Sequence, residues 1–172
     1  MKGFTLVELL IVLVIAGILT TFGVPAFTTL VKDNRLSSDA NRLAATIKFA
    51  RSEAVKRNQI VTIARAGGTV KAWENGGSIF VDVGGEGNEA FNTTGGDILL
   101  RQAEAAEFDV EIRSNTVGQS FVSYQGDGTV DNTGDIEFRV CDDRGPGKGK
   151  KVDISLTGRV ITGAISSGNC TP

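Results

Sequence analysis

The chain has no histidine. The usual general base at neutral pH is therefore missing, and no Ser/Lys pair or pair of carboxylates stands in a motif that would replace it. A non-enzyme without catalytic residues or cofactors is expected. Cysteine is limited to Cys141 and Cys170. With no CxxC and no imidazole, two thiolates make an incomplete zinc site, so no metal is expected either. Proline is scarce, at 3 residues, whereas glycine is plentiful at 22. Short β-branched runs alternate with Gly, Asn and Asp, the pattern of a strand-and-turn domain. No fixed-period repeat is present. Once an apolar segment of about 30 residues is set aside, roughly 140 remain, enough for one compact domain with its own core and too few for two.

Against these scarcities stands one long apolar run. Residues 9–31 form 23 consecutive positions without a formal charge. As a helix they extend roughly 35 Å at about 1.5 Å per residue, enough to cross a bilayer. Just before them is Glu8, and an ionised carboxylate at such a place costs at least about 2.5 kcal/mol unless it finds a partner. A secretory signal peptide is cut after its apolar region, whereas the processing signal here precedes it. Lys2-Gly3 followed by Phe4-Thr5-Leu6-Val7-Glu8 resembles the processing site of type IV pilins and type II secretion pseudopilins. The resemblance implies that prepilin peptidase cuts between Gly3 and Phe4, removes residues 1–3 and N-methylates Phe4. Residues 4–31 would remain as a transmembrane and filament-core helix, with Glu8 pairing with the Phe4 amine of a neighbouring subunit. Two residues before Gly3 make a short leader for this family, which leaves the start codon open.

Pro25 interrupts the run, preceded by Gly23 and Gly17. Proline removes one helical donor and crowds the preceding turn, so a kink or loosening is expected. Gly17 and Pro25 are similar in place to residues that, in type IV pilins, bound a stretch able to unwind on entering a filament. The alternative is a simple proline kink of the kind transmembrane helices tolerate.

From Lys32 to about Asn58 the sequence turns polar yet stays helical. Leu36, Ala40, Leu43, Ile47, Ala50 and Ala54 recur at steps of four and three, an apolar stripe with charges on the other faces. Basic residues crowd the last turns, and Asn58 stands where a C-cap belongs. The closing nonapeptide, Ala50 to Asn58 (ARSEAVKRN), closely resembles the signature of FimT/FimU-type minor pilins, a group that includes the GspH pseudopilins. Trp73 with Gly76-Gly77 and Ile79-Phe80-Val81-Asp82 is similar to the tryptophan and hydrophobic strand of that family. Thr157-Gly158-Arg159-Val160 resembles its late TGR segment.

Beyond the helix the alternation predicts strands over 60–65, 69–73, 78–83, 98–101, 108–113, 120–124, 136–141, 151–156 and 159–162. Phe108, Val110 and Ile112 share a face, as do Ile136, Phe138 and Val140, implying sheets buried on one side. The expected fold is α+β: a long N-terminal transmembrane-to-periplasmic helix packed on an antiparallel β-sandwich-like domain, residues 32–172 forming the globular part. The resemblance implies the same. In an exported domain, Cys141 and Cys170 are expected to pair, closing a loop of about 30 residues worth roughly 3 to 4 kcal/mol.

Charge is uneven. Residues 32–65 carry eight Lys/Arg against three Asp/Glu, and residues 66–172 nine against sixteen. A basic helix surface suits phosphates, anionic lipid headgroups or acidic subunits, or is simply a solvated face. Some FimT-type pilins are DNA receptors that use a C-terminal GRxR motif. The matching place reads Gly158-Arg159-Val160-Ile161, so the second arginine is missing. Arg144, Lys148, Lys150 and Lys151 could add phosphate contacts, but Asp142, Asp143 and Asp153 leave only +2 over residues 142–159. So small a patch predicts weak DNA binding. Residues 84–97 are glycine-rich but lack the lysine and following helix of a P-loop, and read as a mobile loop. Asp127, Asp131 and Asp135 lack EF-hand spacing and read as turn residues rather than calcium ligands.

The resemblance implies a minor pilin that joins a tip complex and primes type IV pilus assembly. The alternatives are a DNA-binding pilin for natural transformation and a GspH-like pseudopilin of type II secretion. Expected partners are other minor pilins, the major pilin, prepilin peptidase, the inner-membrane assembly platform and membrane lipid, with DNA weak. The expected location is the bacterial inner membrane, single-pass with a periplasmic domain, and then the filament, at its tip.

Overall fold

The computed structural model describes residues 3–67, 72–84, 91–107, 109–114, 120–132, 134–165 and 168–170, without the side chains of residues 22 and 23. Two compact units result, Met1–Arg35 and Leu36–Pro172. One helix, α1, spans Leu6–Arg57.

In the first unit α1 begins with a capping box. Thr5 donates both its backbone N–H and its hydroxyl to Glu8 Oε2 at 2.9 Å, and Glu8 N–H donates back to Thr5 Oγ1 at 3.3 Å. Two orphan donors of the first turn are thus satisfied reciprocally. The structure remains helical across Pro25. Two pairs of threonines turn their hydroxyls back onto the helix. Thr20 and Thr21 donate to Gly17 O at 3.0 and 2.8 Å, and Thr28 and Thr29 donate to Pro25 O at 2.9 and 3.0 Å. Hydroxyls in an apolar segment need such internal acceptors, since lipid offers none.

In the second unit the stripe of α1 lies where its spacing placed it. Leu36, Ala40, Ile47, Ala50 and Ala54 are buried, joined by Ala44, with Leu43 half-buried. Alanine at four of these positions lets the helix lie close to the strands, while Leu36 and Ile47 each contribute about 1.5–3 kcal/mol of apolar burial. The helix stops at Asn58, whose φ is +52°. Gln59 N–H reaches back to Ala54 O at 3.3 Å, the six-to-one bond of a Schellman cap.

Among the described residues eight strands follow: β1 Val61–Arg65, β2 Gly77–Val81, β3 Ile98–Ala103, β4 Glu111–Ser114, β5 Phe121–Tyr124, β6 Ile136–Cys141, β7 Lys150–Ile154 and β8 Val160–Ala164. They form two four-stranded antiparallel sheets, β3-β2-β1-β5 and β4-β6-β7-β8. Ile63, Ile79 and Val122 of the first sheet and Ile112, Phe138 and Val152 of the second meet the α1 stripe in one core. Trp73 stands edge-on to Phe138, centroids 5.0 Å apart.

Two expectations change. The segment expected as a strand over 69–73 lies partly outside the described residues, and its described end makes only an isolated bridge, Ala72 to Arg113. Phe108 also lies outside them. The first sheet is not buried on one side only. Thr62 and Phe80 sit opposite each other in register on its second face, and both are fully buried. Phe91 packs on Phe80 with centroids 5.5 Å apart, and the Thr62 and Ser123 hydroxyls bond each other at 2.8 Å.

Candidate functional site

Three groups of residues carry the candidate functions: the start of α1, the disulfide region and the basic face. At the start of α1, Phe4 and the described large apolar side chains through Leu30 are exposed. Glu8 is the sole acid of the described apolar segment. Its Oε2 is occupied by Thr5, whereas Oε1 accepts no hydrogen bond among the described residues. The S/T-x-x-E pattern is legible in Thr5-Leu6-Val7-Glu8 but was overshadowed by the expected intersubunit role of Glu8. Gly3 has open space around it.

Cys141 and Cys170 form the expected disulfide, with Cα atoms 5.9 Å apart. It ties the C-terminal segment to β6. The arginine of the nonapeptide, Arg51, has a role that local spacing does not reveal. Its Nε donates to Gly128 O at 2.9 Å and its Nη2 to Thr157 O at 3.0 Å. One side chain on α1 therefore holds both the 125–129 turn and the TGR segment. The turn comes so close that a Cβ on Gly158, at φ +76°, would lie 2.1 Å from Gly128 O, and one on Gly126 would lie 2.6 Å from Asn58 Oδ1. The nonapeptide and the TGR segment are thus two halves of one joint. Tyr124 completes it: its ring lies beside Gly158, and burial raises its phenol above the ordinary range despite the opposing charge of Arg51.

A second long-range tie was also invisible in the sequence. Asp39 is buried, accepting from Arg42 Nη2 at 2.5 Å and from the Glu107 N–H at 3.3 Å, and Arg42 Nη2 reaches Ala105 O at 2.6 Å. Burial raises the Asp39 carboxyl above its usual range, with Arg42 opposing the shift.

Of the cations considered for DNA, Arg144, Lys150, Lys151 and Arg159 do not form one patch. Arg144 is clamped by Asp142, Nη2 to Oδ2 at 2.7 Å, and Lys151 by Asp153 at 2.7 Å, which holds its ammonium above the usual lysine range. Arg159 instead lines a groove with Lys48, Arg51 and Ser52 of α1, while Lys150 lies in a separate groove beside Ser37, Ala40 and Asn41. The three aspartates read as turn residues serve turns. Asp127 Oδ1 accepts from the Thr129 hydroxyl and N–H, Asp131 from Gln125 Nε2, and Asp135 from Leu156 N–H. Among the described residues no cluster of His, Cys, Asp or Glu is arranged to hold a metal.

Comparison with known proteins agrees with this geometry. The family model described as type II transport protein GspH matches residues 39–158, and that of the prokaryotic N-terminal methylation motif matches residues 1–24. Among solved structures, the type IV minor pilin FimU of Pseudomonas aeruginosa superposes with a TM-score of 0.66 at 24% identity, over 82% of this chain and 98% of that one. A second crystal form of FimU gives 0.63 at 25% identity, over 78% and 99%. The minor pseudopilin EpsH of the Vibrio cholerae type 2 secretion system gives 0.52 at 8% identity, over 77% and 99%, a likeness of fold alone. No curated protein sequence matches the chain. The family and these structural neighbours are structural pilins rather than enzymes. With the GspH model matching most of its length, the chain belongs to the type II transport protein GspH family, the minor pilins and pseudopilins of type IV pili and type II secretion.

Proposed function

We propose that the chain is a minor pilin that enters a tip complex and primes type IV pilus assembly. It would be held first in the inner membrane, with residues 32–172 on the periplasmic side, and then in the filament. Prepilin peptidase would remove residues 1–3, cutting between Gly3 and Phe4, and Phe4 would be N-methylated. The observation that carries this reading is the capped start of α1. An exposed apolar helix presents one carboxylate, oriented by its own Thr5, with Oε1 still able to accept a cation. In lipid or a filament core, a neighbour's Phe4 amine would complete the hydrogen bonding of that carboxylate and offset its desolvation, a strong reason to pack helix against helix.

The pilus is preferred to the secretion system because FimU, a type IV minor pilin, shares 25% of aligned residues, against 8% for the pseudopilin EpsH. Gly17 and Pro25 would bound the stretch that unwinds on entry. The Thr28 and Thr29 hydroxyls bond Pro25 O beyond that stretch and would support the helix at its far boundary. DNA reception is the weaker reading, since Arg144 and Lys151 are held by neighbouring aspartates.

The test is Glu8→Ala in the full chain. Its membrane level should match the wild type while its recovery in sheared filaments falls. Recovery equal to the wild type would count against an assembly role for the carboxylate.

A further inference from the structure

Each sheet has two edges, and three of the four are guarded. β3 carries Arg101, and its pairing with β2 is broken by an irregularity at Ile79/Phe80. β4 is capped on its outer side by the Ala72 bridge to Arg113, and β5 by the Val130 bridge to Tyr124. β8 is different. Val160-Ile161-Thr162-Gly163-Ala164 contains no charged residue and no proline, pairs with β7 in unbroken register, and among the described residues has a neighbour on one side only. Natural sheets blunt such edges with charges, bulges or covers, because an open row of N–H and C=O groups is a template for another strand.

The inner face of β8 is also open beyond Val160, which packs half-buried against the core. Val152 and Ile154 of β7 are buried in the core, and their register partners Thr162 and Val160 lie on the same side. Thr162 and Ala164 are nevertheless exposed. Between β8 and α1 run two grooves, of about 270 Å³ beside Thr162–Ala164 and about 450 Å³ beside Arg159 and Val160. Their helix-side walls are Ser37 and Asn41, then Lys48 and Ser52, spaced by four, seven and four, which is one face of α1. The chain's own C-terminal segment leads elsewhere: Ile165 N–H bonds Gly149 O, and Cys170 is tied to Cys141 on β6, across β7 from the open edge.

The lining of both grooves includes Lys48, Arg51, Lys150 and Arg159 and not one carboxylate. We infer that β8 is a docking edge, where an extended segment bearing Asp or Glu, contributed by another pilin subunit, adds a fifth strand to the second sheet and lies along the α1 face. Main-chain hydrogen bonds to β8 would provide affinity, and the four cations would select an acidic strand and set its register. This rests on the assembly reading above and names the surface through which the globular part takes part in it.

The test places a photo-crosslinking amino acid in the full chain in cells at Thr162. Gln102 on the guarded β3 edge and Leu9 in the apolar segment serve as comparison sites, and crosslinked peptides are read by mass spectrometry. Thr162 should crosslink to one Asp/Glu-bearing extended segment of another pilin, and Gln102 should not. Lys48→Glu with Arg159→Glu should reduce that product about tenfold or more without shifting the melting temperature, and changing the partner's acid to lysine should restore it. A Leu9 adduct to other pilins without one at Thr162, or a Thr162 adduct to nucleic acid, would overturn the docking edge while leaving the assembly reading intact. Absence of pilin adducts at both Leu9 and Thr162 would overturn both.

Discussion

Arg51→Ala is expected to loosen the domain far from the site of change. The guanidinium makes two hydrogen bonds to backbone carbonyls, Gly128 O and Thr157 O, which lie 77 and 106 residues away in sequence. A hydrogen bond from a charged donor is worth about 1.5–3 kcal/mol, and partial exposure lets water replace some of that, so the expected loss is about 2–4 kcal/mol. For a domain of this size roughly 3–5 °C of melting temperature goes with each kcal/mol, giving a drop of about 6–20 °C. Arg51→Lys, whose ammonium lacks the planar fork by which the guanidinium reaches both carbonyls, should recover only part of it. Gly158→Ala attacks the same joint from the other side, through a Cβ 2.1 Å from Gly128 O. At positive φ a non-glycine residue already costs about 1–2 kcal/mol. Because both changes break one contact, the double variant should lose less than the sum of the two. The assay is thermal unfolding of residues 36–172 followed by circular dichroism. A melting temperature for Arg51→Ala within about 3 °C of wild type would refute the joint.

Gly3→Ala should block processing, and a variant still running at mature mass would contradict cleavage between Gly3 and Phe4. Cys141→Ser opens the loop closed by the disulfide and should cost about 3–4 kcal/mol; an unchanged unfolding midpoint under oxidising conditions would contradict its structural role. Burial raises the Asp39 carboxyl, so the folded state holds its proton more tightly than the unfolded chain, where the value is about 3.9. Stability from this group is therefore present below about pH 4 and declines as pH rises through the raised folded value. Asp39→Asn does not titrate, so the variant should gain on wild type as pH rises above about 4, and a gap independent of pH would sink that account. Asp127 behaves oppositely, because the Thr129 hydroxyl and N–H hold its carboxyl low. Its contribution should fade as pH falls below about 4, and a wild-type advantage over Asp127→Ala that persists at low pH would contradict it.

What was legible in the sequence was local and periodic. The α1 stripe, the Asn58 cap and most strands follow from side chains recurring at fixed steps, and they lie within a few residues of the expected places. The burial of Phe80 was not legible, since it depends on Phe91 packing back over the sheet from outside any strand. The role of Arg51 was hidden for a related reason: its partners are carbonyls, which carry no residue identity, reached across half the chain. The resemblance to a GRxR motif and nearness in sequence grouped Arg159 with Arg144 and the lysines, whereas the fold sets it beside Lys48. The open edge of β8 required the sheet order, which alternation within a strand does not encode.

A clean deletion strain, scored for surface pili and DNA uptake together, tests the central claim most directly. The account predicts that pili are lost and that uptake falls only as a consequence, with both restored by the wild-type chain. Intact pili with abolished uptake would contradict it and assign the chain to DNA reception.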